Sequence, residues 1–302
     1  MIIQSLLSVL ECVPIHILET WNRSGSLEIH GLISLVKNPR DTSAGSSDEP
    51  AKCPVVLAPT AQQLEAGTCS LSSGETALCI LYDGNIEYLR RLVHESYPAL
   101  HIWVITPDSS LAEVKKTLSG RSGVEIFTSF TLPSLTPTYE IIKKNDDYLT
   151  YSGKSGDLYG ILSEGGTLAE FNRVGGKYIL FTQSSVPSVH MHPLLSHHIS
   201  SGVSITSLVG ERTSGFPLLT DDGLIEESDI IDEECLTISG LGTYVLPSTL
   251  DVNDVAWQWR RIRRVIHGNV TIEFHRELSQ LTRLLPTKYV RVTQNIHNNS
   301  CG

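Results

Sequence analysis

Positive charge is scarce in this chain: 23 lysines and arginines stand against 33 aspartates and glutamates, a formal net charge of -10. Phosphate backbones are bound by clustered positive surface, so the composition argues against nucleic-acid binding as the main role. Cysteine is sparse too. The six, Cys12, Cys53, Cys69, Cys79, Cys235 and Cys301, form no C-x-x-C pair and no short ligand spacing with histidine, which points to free thiols in a reducing compartment, with the cytoplasm as the expected location. Long apolar runs are missing as well. The opening MIIQSLLSVLECVPIHIL has no basic residue before its apolar part and is broken by Pro14, so a short helix packed on the body is expected rather than a signal peptide, and no later stretch reads as a membrane span. Lysine is absent from the whole interval between Lys52 and Lys115, where Arg90 and Arg91 carry the positive charge.

What remains is enough for a full core: 302 residues, 40% of them hydrophobic. Residues 1–50 read as a helical N-terminal arm and linker, the linker marked by NPRDTSAGSSDEPAK, and residues 51–302 as one α/β domain. Val55 to Ala58 is a first short strand. Asn85 to Glu95 places Ile86, Leu89, Leu92 and Val93 at helical spacing, His101 to Thr106 is a strand ended by Pro107, Ser109 to Leu118 a helix and Val124 to Thr128 a strand. The order resumes with Tyr178 to Thr182, a helix from His192 to Ser200 and a strand from Val203 to Val209. Short strands alternating with helices predict a mostly parallel sheet with helices on both faces. Phe216 to Leu219 and Leu224-Ile225 flank Asp221-Asp222-Gly223 and predict an inserted β-hairpin, and Leu236 to Leu246 further strands. Val255 to His267 reads as a helix with Val255, Trp259, Ile262 and Ile266 on one face and Trp257, Arg261 and Arg264 on another; Ile272 to Leu285 reads as a last helix and Tyr289 to Val292 as a last strand.

The stretch from Tyr151 to Gly202 carries the candidate site. A glycine-containing loop (Gly153, Gly156) leads into a helix, then a buried strand whose polar end is Gln183-Ser184-Ser185, then a second helix. Small molecules meet open α/β sheets at the carboxyl ends of the strands, and a glycine turn before a helix offers N–H groups to them. Two readings of Gly153 and Gly156 stay open, backbone contact with a ligand and an ordinary tight turn. Asp157 and Glu164 suit a solvated helix face as well as an acid/base pair. Ser184 and Ser185 lack a G-x-S-x-G elbow. His190, His192, His197 and His198 have no acidic or cysteine neighbour at ligand spacing, so caps and surface positions are expected, and no metal.

Gly156-Asp157-Leu158-Tyr159-Gly160 with its helix and Gly176-Lys177-Tyr178-Ile179, Ile126-Phe127 with Leu132-Pro133-Ser134-Leu135, and Gly210-Glu211-Arg212-Thr213 occur in an order that resembles the UDP-glucose and UDP-N-acetylglucosamine pyrophosphorylases, the UTP:sugar-1-phosphate uridylyltransferases, over roughly residues 55 to 292. The resemblance implies a nucleotide-diphospho-sugar transferase-like sheet and a UTP or UDP-sugar ligand; with the glycine loop and the polar strand end, it leaves Gly153, Gly156, Asp157, Tyr159 and Gln183 as ligand-binding candidates.

The family pattern is broken where chemistry is expected. Its first strand runs into a Leu-x-Gly-Gly-x-Gly-Thr loop followed by Pro-Lys; here the matching stretch is Leu57-Ala58-Pro59-Thr60-Ala61-Gln62-Gln63-Leu64, with no glycine, and Pro59 fixes φ and removes a donor. A later family strand ends in an Asn-x-Asp-Asn type sequence whose aspartate helps hold Mg²⁺; here Ser185 stands at that position, and a hydroxyl is a poor replacement for a carboxylate. The expectation is a degenerate member, without confident catalytic residues, with a binding, regulatory or structural role, alone or in an oligomer with copies of itself or an active relative. The alternative is an active nucleotidyltransferase that uses Mg²⁺ and recruits Asp157 or Asp251 and the arginines of the last third of the chain. A third class, a phosphate or RNA-binding module, would use Trp257, Arg260, Arg261 and Arg264.

Overall fold

The computed structural model describes residues 55–57, 74–95, 101–129, 131–137, 142–144, 147–183, 191–212, 216–220, 223–225, 238–250, 260–266 and 268–292. The expected N-terminal arm, the stretch 58–64, Ser184, Ser185, His190, Asp251 and Trp257 lie outside them.

In chain order the strands and helices are β1 (Val55–Leu57), β2 (Thr76–Leu81), α1 (Ile86–Glu95), β3 (His101–Thr106), α2 (Leu111–Thr117), β4 (Val124–Thr128), β5 (Thr131–Pro133), β6 (Lys143–Lys144), β7 (Asp147–Tyr148), β8 (Thr150–Ser152), α3 (Leu158–Glu164), α4 (Thr167–Arg173), β9 (Tyr178–Gln183), α5 (Met191–Ser201), β10 (Ile205–Glu211), β11 (Leu218–Thr220), β12 (Gly223–Ile225), β13 (Ile238–Pro247), β14 (Arg260–Ile266), β15 (Asn269–His275), α6 (Leu278–Leu284) and β16 (Thr287–Arg291). They fall into two compact units, one of Thr128–Leu168 with Ala256–Glu277, the other of Pro50–Phe127, Ala169–Val255 and Leu278–Gly302.

The larger unit is built on a sheet of order β1-β16-β10-β13-β9-β2-β3-β4. β1 with β16, β16 with β10, β9 with β2 and β2 with β3 are parallel, and β13 is antiparallel to both neighbours. The fold is therefore the mostly parallel α/β sheet expected. Its central strands, such as TALCIL in β2, are apolar runs without alternation because both faces are covered. One face carries Leu78, Ile80, Ile102, Val104, Leu180, Leu208, Val245 and Val290 in a core shared with Leu89, Leu92 and Val93 of α1 and Leu194 and Leu195 of α5. Asn85 starts α1 by accepting the Tyr88 N–H on its side-chain oxygen at 3.0 Å. On the other face Phe171 of α4 packs edge-on against Trp103 with ring centroids 5.1 Å apart. The inserted hairpin is β11–β12, which joins the sheet through Leu218 opposite Ser239. Gly223 at its turn has φ +119°, and a Cβ there would stand 2.9 Å from Arg283 Cγ, so both conformation and space demand glycine.

In the smaller unit β5 pairs with β8, β6 with β7 and β14 with β15, all antiparallel. Leu135 and Ile272 exchange both backbone hydrogen bonds, at 2.9 and 2.7 Å, tying the segment after β5 to β15. Two expected helices are corrected here. Residues 260–266 form a strand, not a helix, and so do residues 272–275 at the start of the stretch from Ile272. All seven residues of β14 pair with β15, from Arg260 opposite His275 to Ile266 opposite Asn269. Ile262, Val265, Ile266, Val270, Thr271 and Ile272 are β-branched, and Gly268, at φ +81°, makes the reversal that turns this run into a hairpin. The last helix is confined to Leu278–Leu284. Among the described residues no helix is long and apolar enough to cross a membrane.

Candidate functional site

The candidate ligand residues divide between the units. Gly153, Gly156, Asp157 and Tyr159 belong to the smaller one and Gln183 to the larger.

In the smaller unit the loop after β8 is held by a buried polar lattice. Lys154 N–H donates to Asp157 Oδ2 at 3.0 Å and Arg276 Nη2 donates to Asp157 Oδ1 at 3.3 Å, so both carboxylate oxygens are engaged, and Asp157 is 0% exposed. It therefore lies on no solvated face. Gly156 N–H donates to the Arg276 carbonyl at 3.0 Å, and a Cβ on Gly156 would stand 2.5 Å from the Arg276 carbonyl carbon. Its glycine lets two backbone segments touch, and its N–H is spent inside the protein. Gly153 is buried, and Tyr159 is buried in α3. Ser155 Oγ donates to Glu277 Oε2 at 2.7 Å.

Beside this loop is a cluster that reading the segment as a helix concealed. Tyr151 Oη accepts the Phe274 N–H at 2.7 Å and donates to the Phe274 carbonyl at 3.0 Å, and burial pushes its phenol up. Glu273, buried, accepts from His275 Nε2–H at 2.9 Å and forms an ion pair with Arg264, whose Nε stands 3.1 Å away. Burial alone would raise the Glu273 carboxyl; the His275 hydrogen bond and the Arg264 guanidinium outweigh it and hold it below its ordinary value. Burial lowers His275 against the opposing pull of Glu273, so the pair is a carboxylate and a neutral imidazole. The signal was the period-two placement of Thr271, Glu273 and His275 on one strand face. Arg264, placed by the sequence on one face of a helix with Trp257 and Arg261, lies instead on β14 and is paired with Glu273.

In the larger unit Gln183 ends β9, half-buried, with its side chain across Gly242: a Cβ there would be 2.8 Å from Gln183 Oε1, and Gly242 has φ +65°. Gln183 thus stands at the carboxyl end of the parallel strands, as expected. His198 is a core residue rather than a cap. Its Nδ1 is 3.0 Å from Thr206 Oγ1, its ring meets Tyr178 edge-on, and burial pushes it down to about 4. Among the described residues no group of three or more histidine, cysteine, aspartate or glutamate side chains could hold a metal ion.

The mostly parallel sheet with an antiparallel β13 and inserted hairpin defines an α/β protein with the fold of the UDP-sugar pyrophosphorylases. The particular likenesses are to UDP-N-acetylglucosamine pyrophosphorylase from Trypanosoma brucei in complex with an inhibitor (12% identity, TM-score 0.61, 90% of this chain and 76% of that one) and to a mutant of UDP-glucose pyrophosphorylase from Leishmania major in complex with UDP-glucose (11% identity, TM-score 0.64, 88% of this chain and 72% of that one). At these identities the likeness is one of fold. No protein-family model matches the sequence, and no curated protein matches it.

Proposed function

We propose that this chain is a UDP-sugar pyrophosphorylase-like protein that no longer catalyses uridylyl transfer and serves a binding, regulatory or structural role, with UTP or a UDP-sugar as candidate ligand and a further copy or an active relative as candidate partner. The observation that carries the reading is the sequence from Leu57 to Leu64, which has no glycine and is followed by no lysine before Lys115, together with Ser185 in place of a carboxylate. Attack of a sugar phosphate on the α-phosphorus of UTP gathers negative charge, and neutralising it is the main thing a protein supplies to this reaction.

Asp157 is poorly disposed to hold Mg²⁺. Asp157, the acidic candidate nearest the glycine loop, is fully buried with both oxygens engaged by Lys154 and Arg276, and could bind a cation only by breaking that lattice. This argues against the active alternative that recruits it. The sparse cysteines fit a reducing compartment, and the cytoplasm is the location this reading assigns.

The test is to give the purified chain UTP, Mg²⁺ and a panel of sugar 1-phosphates and to follow pyrophosphate. No release above a protein-free control is expected. Release that scales with protein concentration and saturates with sugar phosphate would overturn the proposal.

A further inference from the structure

We propose that Arg291 is the anchor of an oxyanion site for a phosphate group at the carboxyl end of the larger unit's sheet. Arg291 is the last residue of β16 and stands in register between Leu57, the last residue of β1, and Val209 of β10, in three strands that all run parallel. Ligands of open α/β sheets meet the chain at this end. The alternation of β16 sends Val290 into the core with Leu208, so Arg291 shares the opposite face with Val209, Ser207 and Tyr289.

The guanidinium there is half-buried, and its Nε is unspent among the described residues. Among the described residues Arg291 Nε is buried without a hydrogen-bond partner and Arg291 has no ion pair. Burying part of a guanidinium with no acceptor costs free energy that an incoming anion would recover. Ser207, about two residues along the same face at roughly 3.3 Å per residue, holds a buried hydroxyl without a partner among the described residues. Two unspent donors on one face, next to the strand end after which the sequence has no glycine cradle, suit a tetrahedral oxyanion held by an arginine fork without a metal. In a chain of net charge -10 long-range attraction for anions is absent, so binding here is local to the site. The site stands whichever way the pyrophosphate assay falls, because that assay reads turnover and the following one reads anion binding.

The experiment is calorimetric titration of the full chain with inorganic phosphate, methyl phosphate and acetate in EDTA at fixed ionic strength. Saturable one-to-one phosphate binding is expected, weakened about tenfold or more in R291Q and less in R291K, which keeps the charge and loses the fork. R121Q, an exposed arginine elsewhere in the unit, should bind as the wild type does. Equal affinities for the two phosphates identify free phosphate as a sufficient ligand, and tighter methyl phosphate identifies a phosphomonoester. Absence of saturable binding, unchanged affinity in R291Q, equal loss in R121Q, or tighter acetate than phosphate would each overturn the proposal. Should R291Q fail to fold, the wild-type Arg291 Nε–H resonance, assigned by its loss in R291K, decides: it moves with phosphate, or the site does not exist.

Discussion

Gly156 and Asp157 show how two neighbouring residues can look like a ligand loop and be engaged as structure. At Gly156 an added methyl group would meet the Arg276 carbonyl carbon, Cβ and carbonyl oxygen at 2.5, 2.5 and 2.6 Å, and backbone cannot yield as a flexible side chain does. Gly156→Ala should therefore cost about 2–4 kcal/mol, the range of overpacking with a displaced backbone. Urea unfolding monitored by circular dichroism checks this, and a midpoint within error of the wild type would refute the close approach. Asp157→Asn keeps the volume and removes the charge facing the Arg276 guanidinium, whose side chain is only 13% exposed. Breaking a buried pair on one side costs about 3–5 kcal/mol in dry sites. A loss of that order in the same unfolding experiment is expected, and a neutral substitution would return Asp157 to the list of residues available to a ligand.

At the scale of elements, pH separates two buried histidine environments. His198 of α5 is neutral in the fold and pushed down to about 4 from its ordinary 6.5. Between those values the unfolded chain binds more protons than the folded one, so stability rises with pH across the window and is lost as pH falls from 6.5 to about 4. His198→Gln should flatten the thermal-midpoint curve over that interval, and a curve as steep as the wild type's would exclude His198 as its source. Glu273 has the opposite dependence on charge: its lowered carboxyl stabilises the fold above its unfolded value of 4.5 and ceases to do so as pH falls through the lower folded value. Glu273→Gln should remove that acid limb while leaving the His198 window in place. The elements that hold these groups were unequally legible. β3, β9 and β10 are short apolar runs bounded by turn residues, and their order announces a parallel sheet; β2, the apolar run TALCIL between β9 and β3, is not among the strands expected from the sequence. β14 and β15 were hidden because Arg260 to Ile266 has apolar residues at a spacing that also fits a helix; what decided for a strand was pairing with residues up to fifteen positions away through Gly268, which lies beyond any local window. The candidate site divides in the same way. Gln183 at a strand end follows from the βα pattern, whereas the engagement of Asp157 depends on Arg276, more than a hundred residues later, and the place of Arg291, its Nε unpartnered among the described residues, depends on strands brought together only by the fold.

For the molecule as a whole, the sheet order puts β2 between β9 and β3, in the interior of the larger unit, with Cys79 at 0% exposure in its middle. Burial raises the thiol strongly, so neither access nor thiolate is present while β2 stays paired. Reaction at Cys79 then reports the opening of the sheet itself. In a chain whose other cysteines, Cys12, Cys53, Cys69, Cys235 and Cys301, are replaced by serine, labelling by a thiol reagent should need the unfolding of the whole larger unit. Its urea dependence should therefore match the slope of equilibrium unfolding, because both expose the same surface. A shallow dependence would mean that β2 opens in a smaller event and that the parallel sheet is not one cooperative body. Run with and without phosphate, the same measurement connects the scales: an anion held at Arg291 binds the folded sheet and not the unfolded chain, so it should slow labelling at Cys79 in the wild type and not in R291Q.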